Sequence, residues 1–125
     1  MNVLVDTSVW IDYFKSGTHS GSLDRLIDDN LVVTNDLILA ELVPFLIEKK
    51  QSHLAQLLNE LQKMPMEIDW QQVIDFQVKC LKGGVNGIGI PDLLIAQNVK
   101  RHQCKIYSLD KHFRLLNKVL KLDVY

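Results

Sequence analysis

Four carboxylates, Asp6, Glu41, Asp92 and Asp110, occupy positions where acids could do chemistry together. Asp6 ends the apolar run Val3-Leu-Val5, and Asp110 follows Lys105-Ile-Tyr-Ser108. Asp92 comes directly after Pro91, while Glu41 has Leu37, Ile38, Leu42 and Phe45 at helical spacing around it. A carboxylate among apolar neighbours is costly if it is buried without a compensating cation. Several carboxylates brought together would also repel one another strongly. Oxygen-only donors of this kind suit Mg²⁺ or Mn²⁺ better than zinc. Such an ion can activate water and stabilise the leaving oxygen of a phosphodiester. Each acid also has a simpler account, Asp6 and Asp110 as helix caps and Asp92 as a partner of a helix dipole.

Whether the acids meet depends on the elements that carry them. Val3–Val5 is short, continuous and β-branched, the pattern of a strand buried on both faces. Thr7 and Ser8 then open a helical pattern through Val9, Trp10, Tyr13 and Phe14. Residues 15–22 form a polar turn, and Leu23, Leu26 and Ile27 mark a short helix. Residues 31–34 read as a second strand, followed by a helix that carries Glu41 and is kinked by Pro44. Leu54, Leu57, Leu58 and Leu61 form a stripe on a further helix, the mark of a core or subunit interface. Met66–Ile68 is a weak third strand, and Trp70 to about Lys82 is helical. The glycines between 83 and 89 read as a helix stop and hinge, and Pro91 suits the first turn of a helix running to about His102.

Residues 105–108 make a fourth strand, Lys111–Leu116 a short helix, and 119–124 a last edge strand. Strands alternating with helices predict a three-layer α/β fold with a mainly parallel sheet and right-handed crossovers. In such a sheet the ends at Asp6 and Asp110 face one edge, and the helix bearing Asp92 begins there. That edge is where open α/β sheets bind ligands.

The chain has 125 residues, 47% of them hydrophobic and 23% charged, which suits a single domain over 1–125. No apolar run is long enough to span a membrane, and Asp6 and Asp12 interrupt anything like a signal-peptide core, so a cytoplasmic address is expected. Cys80 and Cys104 lie outside any C-x-x-C pattern and read as free thiols. Residues 1–78 carry five Lys/Arg against twelve Asp/Glu, and residues 79–125 nine against three. That asymmetry fits a nucleic-acid surface as well as it fits a solvated helical face. Within the basic half, Lys100, Arg101, Lys111 and Arg114 lie near the Asp92 and Asp110 elements in sequence and are expected to hold phosphates. His19, His53, His102 and His112 show no paired arrangement, which disfavours a histidine-driven nuclease. The glycine loop does not match the nucleotide-binding P-loop.

Val5-Asp-Thr-Ser-Val-Trp-Ile-Asp12, Leu39-Ala-Glu-Leu42, Ile90-Pro-Asp-Leu-Leu-Ile-Ala96 and Ser108-Leu-Asp-Lys-His-Phe113 together resemble the PIN-domain ribonucleases. The compact length is most similar to their VapC-type toxin branch. The resemblance runs in order over nearly the whole chain and implies a parallel five-stranded sheet with helices on both faces. It implies Mg²⁺- or Mn²⁺-dependent cleavage of RNA, with Asp6, Glu41, Asp92 and Asp110 as the metal-binding catalytic acids. It makes Thr7 or Ser8, and also Ser108, donors that orient those carboxylates. A homodimer and a cognate antitoxin that occludes the site are further implications.

Two other classes compete. A receiver-type signalling domain shares the sheet and the acids, but needs paired acids after the first strand and a Lys after the last core strand. Here Asp6 stands alone, and Lys105 precedes its strand. A non-catalytic PIN-like domain that binds RNA or protein would keep the fold, and retention of all four acids argues against it.

Overall fold

The computed structural model describes residues 1–125 and contains four short strands and seven helices. In chain order these are β1 (Val3–Val5), α1 (Thr7–Lys15), α2 (Leu23–Asp28), β2 (Val32–Thr34), α3 (Asp36–Glu48) and α4 (Ser52–Asn59). They continue as β3 (Gln62–Lys63), α5 (Trp70–Lys82), α6 (Ile90–His102), β4 (Lys105–Tyr107) and α7 (Lys111–Leu120). The sheet is parallel throughout, in the order β3-β2-β1-β4. All three residues of β1 and of β2 are buried, Val3–Val5 and Val32–Val33 as the apolar runs of a covered parallel sheet and Thr34 as a buried polar end. β1, β2 and β4, α1 through Val9 and Trp10, and α6 through Leu93, Ile95 and Ala96 share one hydrophobic core. No helix is long and apolar enough to cross a membrane.

The structure corrects the expected strands at two places. Pairing with β2 falls at Gln62–Lys63, not at 66–68. The ladder continues one residue further, where the Met64 N–H donates to the Thr34 carbonyl, and then meets Pro65, which has no N–H to offer. At the other edge, α7 runs to Leu120 and stops at Lys121, whose φ is 54°. The expected fifth strand is reduced to a single parallel bridge between Val124 and Ile106. Pro44 lies inside α3, which runs through it to Glu48.

The glycine loop does stop α5. The Val85 N–H reaches the Cys80 carbonyl at 2.8 Å and the Gly84 N–H reaches Leu81. This pairing, with Gly84 at φ +74°, is the Schellman end that favours glycine. Val85 folds back into the core behind it. Cys80 and Cys104 are both free and buried, and burial pushes both thiols up.

Candidate functional site

β1 and β4 are neighbours, so the residues that follow them emerge side by side. The Asp6 N–H extends the ladder by donating to the Tyr107 carbonyl at 2.9 Å. The side chain of Asp6 is buried, and Oδ2 accepts from Ser8 Oγ at 2.7 Å, Ser108 Oγ at 2.9 Å and, more weakly, the Ser8 N–H at 3.4 Å. The last of these makes Asp6 the N-cap of α1. The hydroxyls are themselves fixed from behind. Ser8 Oγ accepts from the Leu109 N–H and Ser108 Oγ from the Asp110 N–H, each at 3.0 Å. Asp6 is thus tied to the Asp110 backbone through Ser108 and to the Leu109 backbone through Ser8. Asp110 caps α7 as Asp6 caps α1, its Oδ1 accepting from the His112 N–H at 2.9 Å.

Thr7 takes no part in this network, and its buried hydroxyl has no partner. The residue after an N-cap begins the helix, and its side chain turns away from the cap. Of the expected orienting donors, Ser8 and Ser108 touch the carboxylate.

Asp92 stands in the first turn of α6 behind the Gly89 cap. Burial raises its carboxyl above the ordinary range, and the charges of Asp110 and Asp6 add to this. His112 and a backbone hydrogen bond at Gly89 oppose the shift without cancelling it. Glu41 comes to the same place from α3. As a residue it is exposed, where its apolar sequence neighbours suggested burial, because Leu42 and Ile38 take the inward face. Its carboxyl nevertheless loses enough water to be raised, first by that loss and then by Asp6 and Asp92. The fold therefore gathers all four acids within electrostatic reach.

No Lys or Arg forms an ion pair with any of them. The one nitrogen base beside them is His112, whose Nδ1 lies 3.3 Å from Asp110 Oδ1 and 3.7 Å from Asp92 Oδ2. Sequence reading passed over His112 because it looked for paired histidines. The available signal was its place two residues after a capping acid.

The donor chemistry, carboxylate oxygen with no Lys or Arg paired to it, suits a hard divalent ion. As the side chains stand, no three His, Cys, Asp or Glu residues are grouped to hold one.

The four basic residues divide. Lys111 and Arg114 are exposed on α7, whose first turn adjoins Asp110. Lys100 and Arg101 lie in the last turn of α6, eight and nine positions beyond Asp92. At the helical rise that is about 12 Å away. Lys100 Nζ donates to the Leu120 carbonyl at 2.8 Å, and Arg101 Nη1 pairs with Glu67 at 3.1 Å. A helix carries its two ends to opposite sides of the sheet, so this pair stands farther from Asp92 than Lys111 and Arg114 stand from Asp110.

No curated protein sequence matches the chain. Among solved structures it resembles VapBC2 from Rickettsia felis bound to a promoter DNA fragment, with a TM-score of 0.77 and 19% identity over 100% of this chain and 98% of that one. It also resembles VapC20 from Mycobacterium tuberculosis, a sarcin-ricin loop cleaving toxin, with a TM-score of 0.68 and 18% identity, covering 90% and 93% of the two chains. DNA-bound VapBC from Salmonella typhimurium gives a TM-score of 0.77 at 12% identity over 100% and 97%. The PIN domain family model matches residues 3–119, and the chain belongs to the PIN domain family.

Proposed function

We propose that this chain is an endoribonuclease dependent on Mg²⁺ or Mn²⁺, and the toxin of a toxin–antitoxin pair. The observation that carries the reading is the set of four carboxylates gathered at one sheet edge with no Lys or Arg to neutralise them. Asp92 and Glu41 are each held above the ordinary carboxylate range by burial and by other members of the set. A bound divalent cation would relieve that repulsion, activate water and stabilise the leaving oxygen of a phosphodiester.

Asp6, Glu41, Asp92 and Asp110 would hold the ion. Ser8 and Ser108 hold Asp6 Oδ2, which limits the carboxylate to one orientation. Glu41, on a long exposed side chain, is the acid with most freedom to adjust. Lys111 and Arg114 supply positive charge beside Asp110 for the phosphate backbone. Lys100 and Arg101 are placed to stabilise the far end of α6.

Membership of the PIN family and the likeness to a sarcin-ricin loop cleaving toxin support RNA as the substrate. The VapBC likenesses support an antitoxin partner, and a homodimer is part of the same reading. The surface offers a place for a partner protein. Trp10, Tyr13 and Phe14 of α1, Leu54 and Leu57 of α4 and Leu61 beyond its end line a groove of about 370 Å³. Trp10 Nε1 is buried there without a hydrogen-bond acceptor.

The test is cleavage of mixed single-stranded and structured RNA with Mg²⁺ or Mn²⁺, and again with excess chelator. Cleavage is expected only with metal and should leave 5′-phosphate ends. Robust cleavage in chelator would overturn the reading.

A further inference from the structure

The four acids reach the site by two routes, and only one of them is supported by the sheet. Asp6 and Asp110 leave adjacent strands whose separation the β1–β4 ladder sets. Glu41 and Asp92 project from helices, α3 after β2 and α6 before β4. Repulsion between two carboxylates tends to push those helices apart, so an attractive contact between α3 and α6 is required to hold the pair at a working distance.

One such contact is built from buried amides. Asn35, 0% exposed, caps α3 by accepting the Ile38 N–H on Oδ1 at 2.8 Å. Its Nδ2 donates to Asn98 Oδ1 on α6 at 2.9 Å. Asn98, 4% exposed, then donates its own Nδ2 to the Pro65 carbonyl at 2.9 Å. A buried amide pair satisfied on both sides resists separation, because opening it strands polar groups away from water. Six positions separate Asn35 from Glu41, and six separate Asp92 from Asn98. The bridge therefore lies about 9 Å along each helix from the acid that helix carries. The neighbouring Gln97 is a natural contrast. It bonds the Asp69 backbone and Gln72, and so holds α5 in place of α3.

We infer that Asn35 and Asn98 are positioning residues for the helix-borne half of the site, their buried bridge fixing the separation at which Glu41 and Asp92 face a shared cation. The inference rests on the reading of the four acids as a divalent-cation site.

The experiment is calorimetric titration of the full chain with Mn²⁺ alone, beside urea unfolding of the same proteins. The set is wild type, Asn35→Ser, Asn98→Ala, the double variant, Gln97→Ala and Asp6→Asn. Serine remains a good N-cap but is too short to span to Asn98, so Asn35→Ser breaks the bridge and keeps the helix start. Asn35→Ser and Asn98→Ala should each lose about tenfold in Mn²⁺ affinity, the scale seen when a support behind a metal ligand is removed. The double variant should lose no more than the larger single loss, because both substitutions break the same Asn35–Asn98 bond and only Asn98→Ala also removes the bond to Pro65. Gln97→Ala should lose stability and keep wild-type affinity. Mn²⁺ affinity within about twofold of wild type in both bridge variants, or an equal loss in Gln97→Ala, would overturn the inference. A wild type that does not bind Mn²⁺, or binds it equally after Asp6→Asn, would instead overturn the reading of the acids.

Discussion

The two halves of the acidic cleft are built differently. On the β1–β4 side, Asp6 and Asp110 are strand-end residues that also cap the following helices, and serine hydroxyls and backbone N–H groups satisfy them. On the α3–α6 side, Glu41 and Asp92 are held above the ordinary carboxylate range by lost hydration and by neighbouring acids. One half is well supported by local hydrogen bonds, and the other carries electrostatic strain. The contrast shows that capping and chemistry are not rival explanations for Asp6. The same carboxylate orients the chain into α1 and stands close enough to Glu41 and Asp92 to raise both.

The largest effect should come from the supported half. Asp6→Asn keeps a capping group but removes the charge, and RNA cleavage should fall by about two orders of magnitude or more. Single-turnover kinetics at saturating Mn²⁺ would measure it, and near-normal rates would reduce Asp6 to a cap. Next come the hydroxyls. Ser8→Ala and Ser108→Ala should each lower activity about tenfold and stability by ~1 kcal/mol, with the pair less than additive. Additive losses in a double-mutant cycle would mean that the two serines do not act on one carboxylate.

A smaller effect of opposite sign belongs to the strained half. Asp92→Asn should raise the melting temperature in chelator by about 3 °C, because the charge there is net unfavourable. The loss of its favourable place at the α6 N-terminus keeps the gain small. Glu41→Gln should move the same way by less, since its exposure lets water screen the charge.

The pH dependence follows from the same asymmetry. A carboxyl whose folded pKa is raised binds protons more readily in the fold than in the unfolded chain. These two acids therefore make the folded protein more stable as pH falls from above their raised values toward the ordinary carboxylate range. In chelator, the difference in unfolding free energy between wild type and the Glu41→Gln, Asp92→Asn double variant should shrink as pH is lowered through that window. A difference independent of pH would remove the strain from the account.

The smallest effect separates the two basic pairs. Neutralising Lys111 and Arg114 should flatten the salt dependence of RNA binding by nearly two charges, and neutralising Lys100 and Arg101 should leave it unchanged. Equal slopes from the two pairs would contradict their different placement.

Much of this arrangement was legible in the sequence, for physical reasons that differ along the chain. β1 and β2 announced themselves because a strand covered on both faces must be apolar at every residue, and Val3–Val5 and Val32–Val33 are. The short β3 carries Gln62 and Lys63, both exposed, so no hydrophobic signal marks it. The chain after α7 pairs through one bridge alone, which leaves too little burial to shape the sequence. The exposure of Glu41 was hidden because α3 is apolar on most sides, and its neighbours describe the helix better than the residue. The Asn35–Asn98 bridge depends on a contact between distant segments, and no local pattern encodes it. The spread of the basic residues was hidden for a related reason, since eight positions along α6 set Lys100 about 12 Å from Asp92.

The most direct test of the central claim is the change in melting temperature that Mn²⁺ causes in wild type and in Asp6→Asn. Binding to the folded state alone raises stability by mass action, so wild type should shift upward as Mn²⁺ is added. Asp6→Asn should lose most of that shift while still folding. An Asp6→Asn protein that keeps the full Mn²⁺ shift would contradict the account at its centre, leaving Asp6 as a helix cap and the four acids without a shared ion.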